Sequence, residues 1–190
     1  MKLSYIYTLL LIVFLNSFAL VKAQNAVLCE DVAYQEFDFW LGTWDVYANG
    51  QLIGANRVTK ILDGCAIEDN WKSIGDFSGK GINTYDATKG IWKQVWIDNL
   101  GQIIYFTGKY DNGNMTMNGQ VHDENLNELK YYRITLINNN NGTVRQVWEV
   151  HTKEQQEWEV VLDAMCVQRK KNDKPINTSK ARPMPNYVVY

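Results

Sequence analysis

Ile91-Trp92-Lys93-Gln94-Val95-Trp96-Ile97-Asp98-Asn99-Leu100-Gly101 reads as a strand running into a turn, and its core phrase recurs as Val144-Arg145-Gln146-Val147-Trp148-Glu149. Each copy sets a glutamine and a tryptophan at i and i+2, which is one face of a β-strand because side chains alternate. The second copy is the easier to orient. Val144, Gln146, Trp148 and Val150 form one face, while Arg145, Glu149 and His151 form a polar one. Gln146 therefore turns inward among large apolar groups. Burying an amide costs a few kcal/mol unless it is hydrogen-bonded, so an inward glutamine calls for a protein partner, water or a ligand. The pattern points to a lined cavity.

The same alternation runs outward in both directions. Strands are predicted at 42–48, 52–61, 64–73, 79–86, 91–98, 102–109, 114–121, 129–137, 143–151 and 156–169. Asn49-Gly50, Asp63-Gly64, Asp98 to Gly101, Asp111-Asn112-Gly113 and Asn138 to Gly142 read as hairpin turns between them. Helical periodicity is confined to one or two turns around Asp31 to Phe37. About ten strands joined by tight turns predict a closed antiparallel up-and-down barrel, with a two-sheet sandwich as the alternative.

Several strands can be oriented. Met115, Met117, Gly119 and Val121 oppose Asn114, Thr116, Asn118 and Gln120. Trp158, Val160 and Leu162 oppose Glu157 and Glu159 in the same manner, which turns Trp158 inward. Cys65, Ile67, Asp69 and Trp71 face inward against a wet Ala66, Glu68, Asn70 and Lys72. An inward Asp69 has a raised pKa unless a cation or several donors hold it, and Arg133 is a candidate partner. The competing reading is an ordinary rim acid.

Residues 1–23 read as a targeting segment. Lys2 gives a basic start, Leu9 to Leu15 a short apolar run, and Val21-Lys22-Ala23 small residues before a cut ahead of Gln24. Asn16 ends the run too early for a membrane span, so no membrane anchor is expected after cleavage. The expected location is secreted or periplasmic. Residues 24–169 form a single barrel domain, and 170–190, with all three prolines, a polar tail. Removing Lys2 and Lys22 takes 19 basic residues to 17 against 21 acidic, a net charge of −4. That balance argues against nucleic acid as a partner.

Three cysteines follow the leader: Cys29, Cys65 and Cys166. Export permits a disulfide, and the odd count leaves one thiol over. No CxxC occurs, and the two histidines, His122 and His151, stand apart, so no metal site is indicated. Sequons stand at Asn114, Asn141 and Asn177.

Gly42-Thr43-Trp44 resembles the Gly-x-Trp that opens the barrel in calycins, the superfamily of lipocalins and fatty-acid-binding proteins. The resemblance implies structural roles for Gly42 and Trp44, with Arg169 stacked over the tryptophan at the closed end, worth on the order of 1 kcal/mol. A wider pattern is similar to a family of small exported proteins with no established activity. Phe37-Asp38-Phe39-Trp40-Leu41-Gly42-Thr43-Trp44-Asp45-Val46, Gly54-x-Asn56, Leu62-Asp63-Gly64-Cys65 and Trp71 carry its first part. Asn83-x-Tyr85-Asp86, Trp92-x-Gln94-x-Trp96-x-Asp98, Gly108, Arg133, Val144-Arg145-Gln146-x-Trp148-Glu149 and Trp158 carry the rest. The resemblance covers roughly residues 29–169. It departs at Ala164 and Cys166, where the family tends to have glycine and tyrosine, and so implies a Cys29–Cys65 disulfide with Cys166 left free.

Two functions follow. The first is a monomeric binding module for a small, largely apolar molecule, held in an aromatic-lined cavity with a few polar anchors. Its ligand-binding residues are Asp69, Trp71, Asn83, Tyr85, Gln94, Trp96, Gln146 and Trp148. The second is a small barrel enzyme, of isomerase or hydrolase type, using Asp69 or Glu149 as acid or base. No nucleophile–base arrangement accompanies those carboxylates, and catalytic residues stay unassigned. No cofactor is expected: haem needs an inward histidine, and His151 falls opposite Trp148.

Overall fold

Turn chemistry sets the topology. Asn49-Gly50 and Asn112-Gly113 adopt positive φ at both positions (50° and 74°, 47° and 89°), the left-handed pair that matches the twist of a tight hairpin. In the Asp98 turn, the Asp98 carboxylate accepts from the backbone N–H of Leu100 and Gln102. Connections this short force each strand to pair with the next. The computed structural model describes residues 29–123, 127–153 and 157–170. The expected leader and all but the first residue of the expected tail lie outside them.

Ten strands result: β1 (Gly42–Ala48), β2 (Gln51–Ile61), β3 (Ala66–Ser73), β4 (Ser78–Asp86), β5 (Ile91–Asp98), β6 (Ile103–Asp111), β7 (Asn114–Asp123), β8 (Glu128–Asn138), β9 (Thr143–Thr152) and β10 (Glu159–Gln168). All neighbours are antiparallel, and β10 pairs with β1 (Val46 opposite Cys166) to close the barrel. The closed up-and-down barrel is the architecture expected, and the sandwich is excluded.

The helical segment splits into two 3-10 turns, Val32–Gln35 and Asp38–Trp40. They lie at the end where β1 begins, here termed the floor. Phe37 and Trp40 are buried there, with Phe37 against Trp92 and Trp40 stacked on Trp44 at 5.1 Å. The segment is tied down by the Cys29–Cys65 disulfide; Cys166 is a buried free thiol, its pKa pushed up to about 12 by burial.

Two strand-level expectations change. β3 starts at Ala66 rather than at residue 64, because Leu62, Asp63 and Gly64 all adopt positive φ and turn the chain before the ladder begins. Trp158 does not face inward. A register shift between Val160 and Leu162 interrupts the alternation, leaves Val160 exposed, and lays Trp158 on the outside beneath the Arg133 guanidinium. Arg169 is engaged by the Asp45 carboxylate, and Trp44 stacks on Trp40.

Candidate functional site

The lumen has two unlike halves. Toward the floor, inward side chains such as Val46, Val58, Ile67, Trp92, Phe106, Met115 and Val144 are fully buried. Toward the opposite end, the mouth, Trp71, Trp96, Val121, Trp148, Val150 and Leu162 pack against that core yet stay partly exposed. The polar residues sit where the halves meet.

Asp69 is at the centre. Its side chain is 4 % exposed, and its partner residue across the sheet is Gly81, where a Cβ would come within 2.8 Å of both the Asp69 carboxylate and the Gln94 amide. Glycine at that position lets the carboxylate of β3 reach over β4 to a side chain of β5. Oδ1 accepts from Trp40 Nε1 at 2.8 Å; Oδ2 accepts from Asn83 Nδ2 at 2.6 Å and Gln94 Nε2 at 3.3 Å. Asn56 of β2 faces the same carboxylate. Burial pushes the Asp69 pKa up, and the neutral donor groups of Asn83, Trp40, Gln94 and Asn56 pull against that shift without cancelling it.

Turning each amide's NH2 toward the carboxylate has a consequence. Among the described residues, the carbonyl oxygens of Asn56, Asn83 and Gln94 are buried without a hydrogen-bond partner, as is the Trp148 indole N–H. Buried polar atoms are hydrogen-bonded in the great majority of cases, so four orphans in one region mark a place where something else completes the bonding. Asn56, Gln94 and Trp148, with Asp69 and Gln146, line one cavity of about 30 Å³ whose base is Phe37 and Trp40. That is room for a couple of water-sized groups, at ~10–15 Å³ each.

Of the residues expected in the site, Asp69, Gln94, Trp96, Gln146 and Trp148 do meet around this cavity. Both glutamine–tryptophan pairs point into it from opposite walls, with Trp96 and Trp148 6.2 Å apart, edge to face. Gln146 is lightly held: among the described residues its hydrogen-bond partner is the Cys166 thiol, at 4.0 Å. Asn83 stands behind the carboxylate, fully buried. Trp71 faces the lumen nearer the mouth, its ring occupying the space a Cβ at Gly54 would need. Tyr85 is not in the cavity; it packs at the floor against Tyr34 and Trp92.

Arg133 and Glu149, two other candidates for the lumen, are on the outer wall. They form a bidentate pair with both contacts at 2.6 Å, and the guanidinium holds the Glu149 pKa below the usual carboxylate range. Arg133 therefore cannot balance Asp69, and Glu149 has no access to a lumenal substrate. Strand parity decides both, since Arg133 alternates with the buried Tyr132 and Ile134.

Trp40 and Asn56 are the site residues that strand reading missed. Trp40 arrives from outside the barrel, so no strand parity applies to it. Asn56 shares a face with the buried Gly54 and Val58, a two-residue alternation that was available as a signal. Among the described residues, no three His, Cys, Asp or Glu side chains gather as a metal ion would require. No family model matches this chain, and no curated protein matches it in sequence.

Proposed function

We propose that the protein is an exported binding module that holds a small, largely apolar molecule in the mouth half of the barrel, with a polar end seated in the cavity at Asp69. The observation that carries this reading is the set of unpartnered buried polar atoms on Asn56, Gln94 and Trp148 around one cavity. The cavity itself is too small for a whole ligand; the partly exposed indoles of Trp96 and Trp148 continue it toward the mouth. Export is supported by the leader-like N-terminus and by the disulfide, which persists in oxidising compartments. The alternative of a barrel acid–base enzyme now rests on Asp69 alone, because Glu149 lies outside.

Tryptophan fluorescence tests the reading. A ligand entering between Trp96 and Trp148 changes the emission of the wild type, and Trp148→Phe reduces that change. Emission indifferent to a broad set of lipids, isoprenoids, sugars and small amines would count against it.

A further inference from the structure

Asp69 poses an electrostatic problem that the chain leaves unsolved. Ion pairs elsewhere join oppositely charged side chains, among them Lys60 with Asp38, Arg145 with Asp163 and Arg169 with Asp45. Asp69 is more buried than any of those carboxylates and is faced by neutral groups. Asn56 comes from β2, Gly81 and Asn83 from β4, Gln94 from β5 and Trp40 from the floor segment. Gln146 and Trp148 face it across the cavity, and Asp69 is the one ionisable side chain among the residues that line it. An uncompensated buried charge is strongly unfavourable, and a cation supplied to it recovers that energy.

The orphaned atoms select the same chemistry. Next to the carboxylate stand two unpartnered carbonyl oxygens, of Asn56 and Gln94, on residues lining the cavity. A carboxylate oxygen and two amide oxygens are three acceptors, which is the complement of the three N–H donors of an ammonium group. The walls are indoles, whose faces attract cations. About 30 Å³ accommodates a head group of that size and little more.

We propose that the cavity takes the ammonium head of a small primary amine, whose apolar remainder lies between Trp96 and Trp148 toward the mouth. This rests on the binding reading above and specifies its polar end. Trp148 N–H then bonds to an acceptor on the ligand beyond the amine. Only the ionised carboxylate pairs with the cation, so affinity rises as pH rises through the Asp69 titration and levels off above it.

Calorimetric titration with benzylammonium and with benzyl alcohol, which has nearly the same shape and no charge, separates the possibilities. An alkylammonium stays protonated to about pH 9. Wild-type protein should favour the amine by about ten- to hundredfold, the contribution expected of hydrogen bonds to a charged group. Asp69→Asn should remove that preference and its pH dependence. If that variant fails to fold, Gln94→Met, at a partly exposed position, should weaken the amine more than the alcohol. Equal affinity for both probes, or an amine preference unchanged in Asp69→Asn, would overturn the ammonium proposal and leave the binding lumen standing. Heat from neither probe, with tryptophan emission also unmoved, would remove both.

Discussion

The floor and the mouth of this barrel are walls of the same ten strands, yet they use their aromatic residues differently. At the floor, Phe37 and Trp40 drop in from outside the sheet and meet Trp44 and Trp92, so no lumen remains. Toward the mouth, Trp71, Trp96 and Trp148 pack on that core but stay partly exposed, and Trp96 and Trp148 line the cavity of about 30 Å³ above Phe37 and Trp40. The difference lies in the plug rather than in strand composition. A closed barrel of this size leaves an interior that a separate segment must fill if it is to be solid, and here the segment fills one end.

The sharpest break in that contrast comes from Trp40→Ala. It empties a fully buried site and removes a donor from Asp69, so thermal unfolding should show a loss of about 3–5 kcal/mol. The matching change at the mouth, Trp71→Ala, should cost clearly less, because that ring is partly exposed already. Equal losses would mean the mouth is packed like the floor. Cutting the tether comes next. Cys29→Ser with Cys65→Ser opens a loop of 36 residues, and chain entropy sets the loss at roughly 3–4 kcal/mol; chemical denaturation with an unchanged midpoint would show that the plug stays docked without it.

A third test uses pH. Because the Asp69 pKa is raised by burial, the native state holds its proton where the unfolded chain releases it. Stability contributed by that proton is present below the ordinary carboxylate value and is lost as pH rises toward the raised value. Wild type should therefore lose melting temperature relative to Asp69→Asn on going from acid to neutral pH. Parallel curves would mean that Asp69 titrates like an exposed acid. The smallest effect belongs to the outer wall. Arg133→Ala removes an ion pair and the guanidinium over Trp158, with an expected loss of about 1 kcal/mol and no change in lumen binding.

The sequence made the barrel legible through short alternating runs and asparagine–glycine turns, because both are local signals. It also placed both glutamine–tryptophan pairs correctly, since parity fixes the face once one side of a strand is clearly wet. Parity failed where the strand itself was irregular: the shift at Val160 and Leu162 put Trp158 outside. It misassigned Tyr85 for another reason. That residue does share a face with Asn83, but depth along the barrel axis, which alternation does not encode, separates it from the cavity. The partners of Asp69 were equally hidden. They come from β2, β4, β5 and the floor segment, so they are brought together by closure of the barrel and not by any spacing in the chain. Arg133, by contrast, was readable: it alternates with Tyr132 and Ile134, so parity places it on the outer wall, where it pairs with Glu149 across β8 and β9.

Native mass spectrometry of the protein purified from its own host, beside Gln146→Leu, tests most directly whether the mouth half is a binding site. Gln146 has little protein bonding to lose, so the leucine variant should keep the wild-type melting temperature. The wild type should carry a discrete added mass that the variant lacks. A bare wild-type chain, together with a variant destabilised by roughly 1–3 kcal/mol through orphaned partners, would show that the glutamine serves the fold and would contradict a ligand site in this lumen.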